Sequence, residues 1–334
     1  MREQRRATRR GVVAGLTAAG LTAGTGMPVW AQSEPGQRFP ARPIRLVVGF
    51  GPGGGNDILA RLVAQKLSER LGQPVLVENK PGAGAIIATE LVAKAAPDGY
   101  TLLVGATGAM TINPAVYGKL PYDTLRDFAP IALIASFPLL LCVKAAAPVR
   151  TLAELVAYSK AHPAEANYAS SSAAFQLATE LFKMQTGAPL EHVAYKSSGE
   201  MVMAVVGGEV LTALADAPAV AGHIKAGRIR VLAHTASEPL REHPDVPAML
   251  QAGVPELNLR LWSGLFAPAA TPEAIVERLA KEVTAIIAEP DVRERLVGLG
   301  VDPGGGSRAQ FAAQIAAEIP RWTSVAKAAN IKLD

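Results

Sequence analysis

Hydrophobic and polar positions along this chain alternate between two periods. A β-branched run from Ile44 to Phe50 ends in the glycine-rich stretch Gly51-Pro-Gly-Gly-Gly55. From Asp57 onward Ile58, Leu59, Leu62, Val63, Leu67 and Leu71 recur at helical spacing. Further strand-like runs lie at Val75–Glu78, Tyr100–Gly105, Phe137–Val143, Asn167–Ser170, His192–Tyr195, Leu211–Ala215, Ile229–His234 and Leu261–Ala267. Helical patterns fall between them near Ile86–Ala95, Leu152–Lys160, Phe175–Met184, Glu200–Val206 and Ala219–Ala226. Thr151 is placed to N-cap one of these helices, with Glu154 at the capping-box position. Two long helices near Pro272–Ala288 and Ser307–Ala329, separated by the short segment Asp291–Leu299, end the chain. The alternation predicts an α/β protein with mostly parallel sheets.

Two strand–loop–helix corners stand out, Phe50–Asp57 and Ser170–Phe175. Ligands of open α/β sheets sit beyond the carboxyl ends of strands, near helix N-termini. A glycine loop lets backbone N–H groups approach a ligand, and the helix end adds unpaired donors and partial positive charge. Such a corner binds anions. On separate domains, two of them would face each other across a cleft, as in a hinged binding protein.

The first corner is not a nucleotide loop. A phosphate loop of the Walker type needs Gly-Lys-Ser/Thr where this chain reads Gly55-Asn56-Asp57, and a dinucleotide loop needs glycine at Asn56. A carboxylate at Asp57 also disfavours pyrophosphate. The plainer alternative is a structural turn with Asn56 as N-cap. Ser170, Ser171 and Ser172 could serve as nucleophiles, as a hydroxyl shelf or as helix caps. No Gly-x-Ser-x-Gly elbow surrounds them, which favours capping with ligand hydrogen bonding. The five histidines, His162, His192, His223, His234 and His243, lack metal-ligand spacing, so neither a metal nor another cofactor is expected. Asp216, at a strand end, suits a buried cap, a hinge or a ligand contact equally. Lys196, beside Tyr195, would complement an anion or stay solvated. The single cysteine, Cys142, sits in an apolar run and reads as a buried structural thiol.

Charge changes the picture once the N-terminus is set aside. Arg2, Arg5, Arg6, Arg9 and Arg10 precede an uncharged stretch from Gly11 to Gly26, and Val29-Trp-Ala31 offers a cleavage site after Ala31. This is an export signal, with Thr8-Arg-Arg-Gly-Val-Val13 favouring the twin-arginine route over an ordinary secretory signal. The whole chain holds 33 basic and 29 acidic residues; the first 31 hold five arginines and one glutamate, leaving 28 of each in the mature protein. Nucleic-acid binding thereby loses its electrostatic support.

Several motifs occur together. Pro43-Ile-Arg-Leu-Val-Val-Gly-Phe-Gly-Pro-Gly-Gly-Gly-Asn-Asp57, Val77-Glu-Asn-Lys-Pro-Gly-Ala-Gly84 and Ala95-Ala-Pro-Asp-Gly-Tyr-Thr-Leu-Leu103 come first. Asn113-Pro-Ala-Val-Tyr117, Leu120-Pro-Tyr-Asp123, Asn167-Tyr-Ala-Ser170, Val193-Ala-Tyr-Lys196, His223-Ile-Lys-Ala-Gly227 and Trp262-Ser-Gly-Leu-Phe-Ala-Pro268 follow in order. Over essentially the whole mature chain this resembles the Bug family, the substrate-binding receptors of tripartite tricarboxylate transporters. The resemblance implies a two-domain periplasmic binding protein fold, type II-like, hinged by two crossover strands. Its first domain would join residues 38–137 to 263–334, with 138–262 as the second, and crossovers at Phe137–Val143 and Leu259–Leu265.

The resemblance further implies a monomeric, non-enzymatic receptor for a small organic carboxylate. Its partners would be the membrane subunits of a tripartite transporter or, alternatively, a sensor kinase; an exported enzyme using the same cleft is the remaining alternative. Ligand contacts are expected from Phe50, Gly51, Pro52, Gly53, Gly54, Gly55, Asn56 and Asp57, and from Ser170, Ser171, Ser172, Ala173 and Phe175. Ala106, Thr107, Gly108 and Met110, then Tyr195, Lys196 and Ser197, would complete the lining with Asp216. Relatives commonly carry a longer, glycine-containing second loop with a histidine behind it. Here the loop is short and reads Ser171-Ser-Ala-Ala-Phe175-Gln176, with Ser197 and Glu200 in place of the usual glycine and proline. Phe175 is therefore expected to narrow the pocket in favour of an aromatic or short monocarboxylate over citrate.

Overall fold

The computed structural model describes residues 39–328 and 331–332. The export signal and its cleavage after Ala31 lie outside the described residues. The first part of the chain runs β1 (Ile44–Val48), α1 (Gly55–Leu71), β2 (Val75–Asn79), α2 (Ile86–Ala93), β3 (Thr101–Ala106), α3 (Asn113–Val116) and α4 (Thr124–Asp127). The middle runs β4 (Phe128–Lys144), α5 (Leu152–Ala161), β5 (Asn167–Ser170), α6 (Ala173–Thr186), β6 (Glu191–Ala194), α7 (Ser198–Gly207), β7 (Thr212–Asp216), α8 (Ala217–Lys225) and β8 (Ile229–His234). The last part comprises β9 (Arg260–Pro268), α9 (Glu273–Ala288), α10 (Pro290–Gly298), β10 (Asp302–Pro303) and α11 (Arg308–Ala328).

Local chemistry sets several of these boundaries. α1 stops where Gly72 takes φ 67, a left-handed conformation open to glycine, and the Gly72 N–H closes on the Ser68 carbonyl. The Thr151 hydroxyl accepts the Glu154 N–H at 3.1 Å, as the capping-box pattern requires. The reciprocal arm lands one residue earlier than in a standard box: Glu154 accepts from the Arg150 N–H at 2.7 Å.

The strands follow the order β2-β1-β3-β9-β4-β7-β5-β6, with β8 and β10 also paired to β4. β1 with β2 and β3, and β5 with β6 and β7, are parallel. The five pairings involving β4 or β9 are antiparallel, so the expectation of mostly parallel sheets is corrected to a mixed arrangement. β9 and β4 run opposite to each other. Joined to parallel strands on both sides, they must create antiparallel seams.

β4 is 17 residues long and belongs to both halves of the molecule. Its residues up to Pro138 pair with β9, and from Leu139 onward it pairs with β7 and β8. Pro138 has no N–H to give a ladder, which suits the point where partners change. Thr235 ties the change-over together. Its Oγ1 accepts the Leu139 N–H at 2.8 Å and donates to the Leu259 carbonyl at 2.7 Å. Its backbone bonds the same two residues at 2.9 and 3.0 Å.

The centre of β4, Leu139–Val143, is wholly buried, including the free Cys142 thiol, whose ionisation burial pushes up. An aromatic cluster of Phe128, Trp262, Phe266 and Phe311 seats α11 against β9. Gly264 is required there, because a Cβ would overlap the Phe311 ring.

Candidate functional site

β1 delivers the chain into the glycine corner, and α1 begins at Gly55 with Gly54 as an extended N-cap that has no side chain to offer. Asp57, three residues into the helix and 3% exposed, fixes the loop from inside. Its Oδ2 accepts the Gly53 N–H at 3.0 Å and Arg61 Nε at 2.9 Å, and its Oδ1 accepts Asn79 Nδ2 at 2.9 Å. Asn79 also donates to the Phe50 carbonyl at 3.0 Å. Burial pushes the Asp57 carboxyl up, but Arg61, Asn79 and Gly53 outweigh it and hold it below the ordinary carboxylate value. Asp57 thus shapes the corner, and both its oxygens are committed to the chain itself. Asn56 is not the N-cap; its Oδ1 accepts from the Ser263 hydroxyl at 2.5 Å.

The other half meets this corner closely. The Gly51 N–H donates to the Lys196 carbonyl at 3.3 Å. A Cβ on Gly54 would lie 2.8 Å from Ser198 Oγ, and one on Gly199 would lie 3.0–3.2 Å from the Pro52–Gly53 backbone. Ser197 caps α7 through the Glu200 N–H at 3.2 Å, while Lys196 stays exposed. Asp216, 2% exposed, caps α8 by accepting the Ala219 N–H at 3.1 Å. Its carboxylate also faces the Ser198 hydroxyl and the Gly55 backbone N–H. A Cβ on Gly55 would overlap Asp216 Oδ1. Burial raises the Asp216 carboxyl above its ordinary value despite these donors.

The serine corner divides its three hydroxyls. Ser170 Oγ is 2.7 Å from His192 Nε2 on the neighbouring strand. Ser171 Oγ is buried without a hydrogen-bond partner. Ser172 is the extended N-cap of α6 and makes no side-chain cap bond. Between the corners lies a cavity of 20 Å³. The expected residues Phe50, Asn56, Ala106, Thr107, Gly108, Ser171, Ser172 and Phe175 line it. Phe137, Ala174, Ser198, Leu261 and Trp262 line it too, although sequence reasoning did not single them out. The Thr107 hydroxyl is engaged with the backbone of Trp262, at 2.7 Å from its N–H and 3.2 Å from its carbonyl.

The remaining expected residues sit around this cavity rather than on it. Gly51 to Gly55 and Pro52 form the interlock, Asp57 and Asp216 support it, Ser170 ends β5, Ala173 opens α6, and Tyr195, Lys196 and Ser197 form the loop between β6 and α7. Met110 is buried next to Phe266 beside Gly105. A larger recess of 710 Å³ opens between α8, residues 238–243, α10 and β10. Neither corner reaches it, and its charges are mixed, with Arg260 paired to Asp302. Among the described residues no group of three His, Cys, Asp or Glu side chains could hold a metal.

Two halves joined by β4 and β9, with glycine and serine corners closing on one small cavity, define the class: a two-domain α/β solute-binding protein. The chain belongs to the tripartite tricarboxylate transporter receptor family, whose description matches residues 59–331. It is 36% identical over 315 residues to Protein BugT of Bordetella pertussis, covering 93% of this chain and 95% of that one. A solved R. palustris protein with adipate superposes with a TM-score of 0.85 at 38% identity, covering 88% of this chain and 99% of the other. MatC from Rhodopseudomonas palustris with bound malate gives 0.82 at 33% identity, over 86% of this chain and 99% of the other.

Proposed function

We propose that this chain is an exported periplasmic receptor that closes on a small carboxylate solute and delivers it to the membrane subunits of a tripartite transporter. The supporting observation is the buried, unpartnered Ser171 hydroxyl on a cavity shared by both corners. A donor left in that state costs free energy that a bound oxygen recovers. The two relatives with adipate and malate support the carboxylate class. A cavity of 20 Å³ holds about one water, so the halves must part to admit a solute. They do so about the crossover near Pro138 and Leu259, with residues 38–137 and 263–334 moving against 138–262. The protein acts as a monomer and performs no chemistry on its cargo.

One contact speaks for the alternative of an exported hydrolase, the 2.7 Å approach of Ser170 to His192. Ser170 is not part of the cavity lining, and the pair joins adjacent strands β5 and β6. It therefore braces the serine corner. A thermal-shift screen of the mature protein against mono-, di- and tricarboxylates tests the receptor function, because ligands that bind only the native state raise its melting temperature. Stabilisation by a carboxylate recovered chemically unchanged is expected. No response across all three classes, or recovery of a hydrolysed product, would refute it.

A further inference from the structure

We infer that the solute is a monocarboxylate with an apolar, aromatic body, a conclusion that rests on the receptor function above and narrows it. Each corner presents a helix N-terminus able to take an anion, α1 on one side and α6 on the other. The α1 seat is already filled by the chain. Asp216 sits against Gly55 at its first residue, and Asp57 lies three residues into the helix with both oxygens engaged. A solute carboxylate entering there would face two carboxyl groups in one helical turn, and like charges at such range repel strongly.

The α6 seat differs in each respect. Its first turn contains no acidic residue, and its N-cap Ser172 makes no cap bond. Ser171, 8% exposed, holds an unpartnered hydroxyl on the cavity wall. Once the halves part to admit it, one carboxylate would be held at this seat, accepting from the Ser171 hydroxyl and the N–H groups of the first turn. The rest of the wall offers no second seat. Phe50, Phe137, Phe175 and Trp262 contribute rings, and the Trp262 indole N–H is already bonded to Glu318 at 2.8 Å. Of the other polar lining groups, Thr107 is bonded to the Trp262 backbone and Ser198 faces Asp216. A second carboxylate would therefore find the Asn56 amide as its main donor among the rings, too few to replace its hydration. An aromatic ring would instead meet ring faces and edges, contacts that add to its burial.

The test is calorimetric titration of the mature chain with benzoate, hexanoate, adipate and citrate. Benzoate is expected to bind at least tenfold more tightly than adipate or citrate, and more tightly than hexanoate. Tight adipate or citrate binding with weak benzoate binding overturns this inference and leaves the receptor function standing. Silence toward all four overturns both. Three variants separate the parts. Ser171→Ala should weaken benzoate at least tenfold without lowering the melting temperature of the free protein. Phe175→Leu should erase the preference of benzoate over hexanoate. Asp216→Asn, which retains an oxygen for the Ala219 cap and removes one of the two charges at the α1 seat, should raise adipate affinity at least tenfold. Unchanged adipate affinity in a folded Asp216→Asn protein means that the carboxyl charge at the α1 seat does not set the preference, and the inference fails.

Discussion

Replacing Asp57 by asparagine removes the charge that organises the glycine corner while keeping its shape. The carboxylate accepts from Gly53, Arg61 and Asn79. Arg61 is 54% exposed, so that ion pair contributes at most about 1 kcal/mol. Each of the other two bonds to a buried charge contributes about 1.5–3 kcal/mol. Asparagine keeps one acceptor and turns an NH₂ toward a former donor, so the expected loss is one charged bond plus the ion pair, about 2–4 kcal/mol. For a chain of this size that corresponds to a melting temperature lower by about 3–6 °C. The measurement is scanning calorimetry of wild type and Asp57→Asn at pH 7, repeated at steps down to pH 3.

The acid series fixes the sign. Because the folded carboxyl lies below its ordinary value of 3.8, its contribution is complete above that pH and disappears as pH falls through the lowered value. The gap between the two proteins must therefore close on acidification. Equal melting at pH 7, or a gap that does not narrow as pH falls below 3.8, would refute the role assigned to Asp57.

Other outcomes follow from the same geometry. Gly54→Val should abolish solute binding in a titration while the free protein melts close to wild type, because the new side chain meets Ser198 only when the halves close; retained affinity would count against the interlock. Thr235→Val strips both strand bonds from a buried hydroxyl and should cost about 2–4 kcal/mol in denaturant unfolding, whereas a loss below about 1 kcal/mol would mean the tie is dispensable. His192 and His234 are held below the ordinary histidine value, chiefly by burial. The unfolded chain takes protons first as pH falls below 6.5, so stability should decline from there toward pH 5, and His234→Gln should flatten the decline seen in pH-dependent melts.

Much of the fold was legible because strand–helix alternation and punctuation agree. β5 and β8 lie where their residue patterns place them, and α1 and α9 differ by only a residue or two at their starts. The first part of β4, Phe128–Ser136, escaped notice. It is buried over much of its length, shows no period-two signal and contains Pro130. Strand direction escaped as well, since it depends on how β4 and β9 cross between the halves and not on their composition. At the site, glycines and serines revealed the corners. Trp262, Leu261 and Phe137 did not stand out, because an apolar residue on a strand reads the same whether it faces core or cavity. Asp57 pointed to a ligand contact, but its partner Asn79 lies 22 residues away, and only the parallel pairing of β1 with β2 brings them together.

Thr235 has a consequence for how the receptor signals occupancy. Leu139 and Leu259 are both fastened to this one residue, so on the proposed opening the crossovers would not slide past each other and the halves would retain a single swing about that fastening. Opening is then one coordinate rather than a family of independent distortions. A fluorophore pair placed on α1 and α7 should report two discrete separations, and solute should change their populations without changing the separations. On the transport role proposed above, a membrane partner that reads this angle would learn whether cargo is present without touching the cargo itself.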